Sequence, residues 1–175
     1  MSDGSVTLYI ACSLDGFIAT SDGGVEWLEE FQGEPEDESG GYEEFFDTVD
    51  CLLMGSKTYE QVLEFGWPYG QRPTYVITHR DLPQATDAVE LFDGDLKTLP
   101  AELKQRFDHI WLVGGAQVVQ ALASNGDIDR MRFSVVPRIL GDGIRLFAAT
   151  GTGHDLNLVK STEDSSGIVE LEYTI

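Results

Sequence analysis

HIWLVGGAQVV, residues 109 to 119, decides how the chain folds. His109 to Val113 is an apolar run without alternation, the pattern of a strand covered on both faces. Two adjacent glycines follow, and AQVVQALAS (116–124) then changes period and reads as a helix, with Asn125-Gly126 as the stop. A strand feeding a helix through a glycine turn is half of a parallel crossover unit. Gly114-Gly115 is then either a turn that lets strand and helix pack closely or a place where backbone N–H groups meet a phosphate. Local residues leave both readings open.

The design repeats at LLMGSKTY (52–59) and VITHRDLP (76–83). Around these junctions, Val6 to Ser13 reads as a strand, followed by the turn-rich LDGFIATSDGGVEW. QGEPEDESGG (32–41) reads as a solvated loop, YEEFFDTV (42–49) as a short amphipathic helix and CLLMG as a strand. Ser56 is expected to cap the helix KTYEQVLEF, with Glu60 placed as a capping-box acid. TYVITH (74–79) is a strand, 81–96 is irregular, and 99–107 is helical. RMRFSVVP (130–137), IRLFAA (144–149), DLNLVKSTE (155–163) and GIVELEYTI (167–175) read as strands, the last two as an antiparallel pair. The expected fold is α/β: one domain over residues 1–175, a mixed and mostly parallel sheet flanked by helices, and a C-terminal antiparallel hairpin.

Thirty-one acids against eleven basic residues give 11 − 31 = −20. Such a surface repels nucleic acid and anionic membranes, so an acidic ligand needs a local basic or backbone N–H site. Self-repulsion on that scale is relieved by strong salt, and a salt-loving source is the expectation. No apolar run approaches a membrane span and Met1 to Ser5 lack a signal-peptide start, which predicts a cytoplasmic protein. Cys12 and Cys51 sit in the apolar runs LYIACS and VDCLLMG and are expected as buried free thiols.

Each junction suits a nucleotide. Gly55 admits close approach of backbone, Ser56 and Thr58 bring hydroxyls to a helix start, and Lys57 brings one of eleven basic charges. Thr78, His79 and Arg80 place a hydroxyl, an imidazole and a guanidinium in succession, a set able to hold a phosphate monoester. Gly114, Gly115, Ala116, Gln117 and Val118 open a helix whose first N–H groups attract anions. GGAQVV lacks the GxGxxG spacing of a Rossmann fingerprint, and the chain has no GxxxxGK[ST] or GxSxG. His79, His109 and His154 are far apart without ligand spacing, so no metal site is expected. Asp15, beside Gly16, is a candidate for gripping a substrate hydroxyl or relaying a proton, and equally a turn residue. Trp27 is a candidate pocket wall or core residue.

ACSLDGFIA, WL at 27–28, LLMGSKTYEQV, YVITHR, WLVGGAQVVQAL and VVPRILGDGIRLF stand in an order and spacing that resembles the dihydrofolate-reductase-like superfamily. SLDGFIA and PRILGDGIRLF look more like the reductase domain of riboflavin biosynthesis. The resemblance implies a three-layer fold with about eight strands, NADPH as cofactor, a small heterocyclic substrate and a homodimer. It places the phosphate-contacting turn at Gly55 to Thr58, the adenosine 2′-phosphate at Thr78 to Arg80, and the pyrophosphate at Gly114 to Val118. Asp15 and Trp27 line the substrate and nicotinamide pocket, and Gly141 to Gly143 lie in a late architectural loop. The acid that dihydrofolate reductases carry after the tryptophan has only Glu43 or Glu44, in GGYEEFF, as counterpart, and the zinc deaminase signature of bifunctional riboflavin enzymes does not occur.

Overall fold

The computed structural model describes residues 3–31, 41–149, 151 and 153–175. The expected acidic loop at 32–41 falls outside them except for Gly41. The first strand, β1 (Ser5–Ser13), leads through a short β2 (Phe17–Ala19) and a 3-10 turn (Glu26–Phe31). After the 32–40 gap come α1 (Gly41–Asp47), β3 (Cys51–Gly55), α2 (Ser56–Phe65), β4 (Thr74–Ile77), β5 (Val89–Phe92), α3 (Leu99–Arg106), β6 (His109–Gly114) and α4 (Ala116–Asn125). The chain closes with β7 (Arg130–Val136), β8 (Ile144–Arg145), β9 (Asn157–Glu163) and β10 (Val169–Thr174).

Eight strands form one sheet in the order β5-β4-β3-β6-β1-β7-β10-β9. The run from β5 to β7 is parallel throughout, and β10 lies antiparallel to both β7 and β9. Alternation within β6 explains the layers. Ile110 and Leu112 enter a core with Leu99, Leu103, Val119 and Leu122 of α3 and α4, while Trp111 enters a second core with Phe45 of α1 and Tyr59 of α2. Both faces of β6 are therefore buried, which is why its sequence shows no polar alternation. Each fully buried Leu or Ile here contributes about 1.5–3 kcal/mol.

Four local expectations change. VELF, inside the stretch read as irregular, forms the edge strand β5, whose four residues are too short for a period to stand out. TYVITH pairs only as far as Ile77. IRLFAA pairs only at Ile144–Arg145, against β2. Beyond that pair the backbone is satisfied elsewhere: Leu146 N–H donates to the Gly16 carbonyl, and Gln120 donates to the carbonyls of Arg145 and Leu146. Finally, Gly55 and not Ser56 is the N-cap of α2, it carries no side-chain cap, and Glu60 pairs with Arg80 instead of closing a capping box. Cys12 and Cys51 are buried and free, as expected.

Candidate functional site

Parallel pairing puts the carboxyl ends of β1, β3, β4, β6 and β7 on one edge, where open α/β sheets bind ligands. β3 and β6 are neighbours, so α2 and α4 start side by side. Both N-caps, Gly55 and Gly115, are extended at φ −80° and neither helix has a side-chain cap. The first-turn N–H groups of two ten-residue helices therefore lack the side-chain oxygen that usually meets them. Their partial positive charges add at one place.

The glycines let the two junctions approach closely at that place. A Cβ on Gly55 would lie 3.2 Å from Val118 Cγ2 and 3.6 Å from Gly115 N, and one on Gly115 would lie 3.2 Å from Thr58 Oγ1. Gly114 has φ +146°, a backbone that favours glycine, and its bond to Gly115 is cis. Thr58 thus sits against the Gly114-Gly115 turn, which brings the first and third predicted segments together. Val118 is buried in the core, while Gln117 is exposed.

The second segment joins them through β4. Thr78 is buried, its N–H donates to the Phe92 carbonyl, and its hydroxyl accepts the Arg80 N–H at 3.0 Å. His79 and Arg80 are exposed. Arg80 donates to both carboxylate oxygens of Glu60, at 3.1 and 2.7 Å. Hydrogen bonding by Arg80 and the charges of Arg80 and Lys57 hold the Glu60 carboxyl below its usual value. Fully buried Tyr59 donates to the Pro83 carbonyl and accepts the Ala85 N–H, tying α2 to the chain beyond Arg80.

Asp15 and Trp27 occupy the other side of the edge. Asp15 accepts the Ser13 hydroxyl at 2.6 Å and the N–H groups of Leu140 and Gly141 at 3.1 and 2.8 Å. The Ser13 hydroxyl above all, with these N–H groups, holds its carboxyl below the usual value. A carboxylate so engaged latches the loop after β7 to the end of β1. The segment carrying Trp27 crosses above the edge: Gln61 of α2 donates to the Gly23 carbonyl, and Arg138, just past β7, pairs with Glu30 at 2.6 Å. Trp27 is buried, and its indole N–H has no hydrogen-bond partner among the described residues.

Glu43 and Glu44 are exposed on α1. Glu44 lines a cavity of about 220 Å³ with Arg132, Lys160 and Glu170. Beside it Glu170 accepts from Tyr9, Arg132 and Ser134, and Arg132 also reaches the Gly41 carbonyl. Burial, and then the Glu170 bond and charge, push the Tyr9 phenol up. Burial opposes the charge on Glu170, but the bonds from Arg132 and Tyr9 outweigh it and its carboxyl stays low. Sequence reading missed this clamp and the Glu60–Arg80 pair. The second had a signal: opposite charges shortly beyond the ends of two adjacent strands, Gly55 and Ile77, that lie in register.

The layer order and the mixed sheet define a dihydrofolate-reductase-like fold. Dihydrofolate reductase of Enterococcus faecalis, solved with NADP(H), superposes with a TM-score of 0.68 at 16% identity, covering 98% of this chain and 96% of that one. The family model of the RibD C-terminal domain matches residues 4–170, and the chain belongs to that family. A protein named for riboflavin biosynthesis from Shewanella sp. PV-4 superposes with a TM-score of 0.87 at 30% identity, over 97% of this chain and 98% of that one. The Thermotoga maritima diaminohydroxyphosphoribosylaminopyrimidine deaminase/5-amino-6-(5-phosphoribosylamino)uracil reductase gives 0.70 at 17% identity, over 98% of this chain and 56% of that one. YwjB of Bacillus subtilis, of uncharacterized function, is 37% identical over 169 residues, 95% of each chain. No helix among the described residues is long and apolar enough to cross a membrane.

Proposed function

We propose that the chain is an NADPH-dependent reductase acting on a small polar heterocycle, with a ribosylamino-pyrimidine of the 5-amino-6-(5-phosphoribosylamino)uracil type as substrate. The observation that carries this reading is the pair of helix starts without side-chain caps on neighbouring strands, brought close together by glycines where a Cβ would crowd the facing junction. In a chain of net charge −20, Lys57 and Arg80 at the same edge add the cations that an anionic cofactor needs. The donor set therefore fits a phosphate-rich dinucleotide. When bound, that cofactor supplies the hydride.

The chain's own residues bind and orient. First-turn N–H groups of α4 after Gly114-Gly115 hold the pyrophosphate, with Thr58 beside them. Gly55, Ser56 and Lys57 contact phosphate at α2, and Thr78, His79 and Arg80 hold the adenosine 2′-phosphate. Trp27 walls the pocket with its ring. Asp15 positions the loop after β7, since its carboxylate is already engaged by three donors. The same reading includes the homodimer usual in the riboflavin branch, which sedimentation would show.

A second reading is dihydrofolate reduction, with Glu43 or Glu44 on α1 as the acid. NADPH consumption at 340 nm separates the cases. Turnover is expected with the phosphoribosylamino-pyrimidine; turnover with dihydrofolate alone would give the second reading, and NADPH binding without turnover on either would mark a non-catalytic nucleotide-binding protein. Replacing Lys57 and Arg80 together by Ala is expected to abolish preference for NADPH over NADH, because each charge-assisted phosphate contact contributes about 1.5–3 kcal/mol.

A further inference from the structure

We infer that Glu60 sets the cofactor preference of this site: in the free protein its carboxylate fills the Arg80 fork that a 2′-phosphate would take, and it offers an acceptor to the 2′-hydroxyl of a cofactor lacking that phosphate. The inference rests on the reading that Arg80 holds the 2′-phosphate. Arg80 presents two N–H donors to the two oxygens of Glu60, at 3.1 and 2.7 Å, the same parallel arrangement that a guanidinium makes with phosphate. Lys57 stands three residues before Glu60 on α2, so the carboxylate is flanked by two cations. Exposed pairs are generally weak because two long side chains must be ordered. Here both backbones are already fixed, by the Thr78 hydroxyl under the Arg80 N–H and by Tyr59 bonding Pro83 and Ala85.

Two consequences follow from charge. A phosphate must displace Glu60 and then sit beside its negative charge, which lowers affinity for NADPH. A ribose hydroxyl needs no displacement and gains an acceptor, the chemistry by which an acidic side chain holds the ribose of NAD in other α/β sites. Glu60 therefore narrows the gap between the two cofactors.

Fluorescence titration of NADPH and of NADH against wild type, E60Q, R80A and the double variant tests this, with thermal melts to confirm folding. E60Q is expected to bind NADPH about three- to tenfold more tightly, as release of an exposed pair and of one repulsion would give, and to bind NADH no better than wild type. Its NADPH affinity should also fall more steeply with KCl, since the local positive charge has risen. In the R80A background, E60Q should lose most of its gain. If R80A removes the NADPH preference while E60Q leaves it unchanged or lowers it, the role of Glu60 is overturned and the 2′-phosphate reading stands. If R80A leaves the preference intact, both are overturned.

Discussion

The turns after β6 and after β7 leave the same edge of the sheet, with β1 between them, and both depend on glycine. At the β6 turn and the neighbouring Gly55, a Cβ would meet its neighbours at 3.2 Å or more, and the adjoining helix starts keep N–H groups free of side-chain caps. After β7, a Cβ on Gly143 would clash with the Ala19 carbonyl oxygen, and the N–H groups of Leu140 and Gly141 are taken by Asp15. One turn keeps its hydrogen-bonding capacity open; the other has used it within the protein. On the proposed reading, glycine at a site edge serves ligand approach in one place and closure of the fold in the other, and only the surroundings tell which.

Substitution should separate the two. Gly143→Ala combines φ +143° with the clash on Ala19, and a loss of about 2–4 kcal/mol in urea unfolding is expected. A loss below about 1 kcal/mol would mean that the loop relaxes freely and the contrast fails. Gly55→Ala has an ordinary φ but crowds Val118 Cγ2 at 3.2 Å, so it should cost about 1–2 kcal/mol in stability while weakening NADPH binding about tenfold or more, a difference of about 1.4 kcal/mol. Unchanged binding would remove Gly55 from the phosphate turn.

The smallest effect concerns charge. Because the Asp15 carboxyl is held below its ordinary value, its contribution is present above the unfolded value and is lost as pH falls through the folded one. Asp15→Asn should therefore melt lower than wild type near neutrality, with the two curves converging in acid. A gap that stays constant down to low pH would show that the latch works without its charge.

Much of this edge was legible beforehand because its signals are local. Strand-to-helix junctions announce themselves by a change of period around a glycine, and the C-terminal hairpin by two apolar runs around Asp164 to Gly167. What escaped depends on chain separation. Asp15 meets Leu140 and Gly141 across more than a hundred residues, so Asp-Gly could be read as a turn but not as a latch. Glu60 and Arg80 meet only because β3 and β4 are neighbours, and strand order is not written in any single window. The two-residue β8 was overread for the same reason: IRLFAA has strand composition, but Gln120 and Gly16 claim its backbone.

Tyr59 has a mechanical consequence. A buried ring whose hydroxyl both donates and accepts ties α2 to the chain at both Pro83 and Ala85. The spacing between the charges displayed on either side is thereby governed from beneath the surface. Exposed residues around them can be exchanged without altering the distance across which an anion would be gripped.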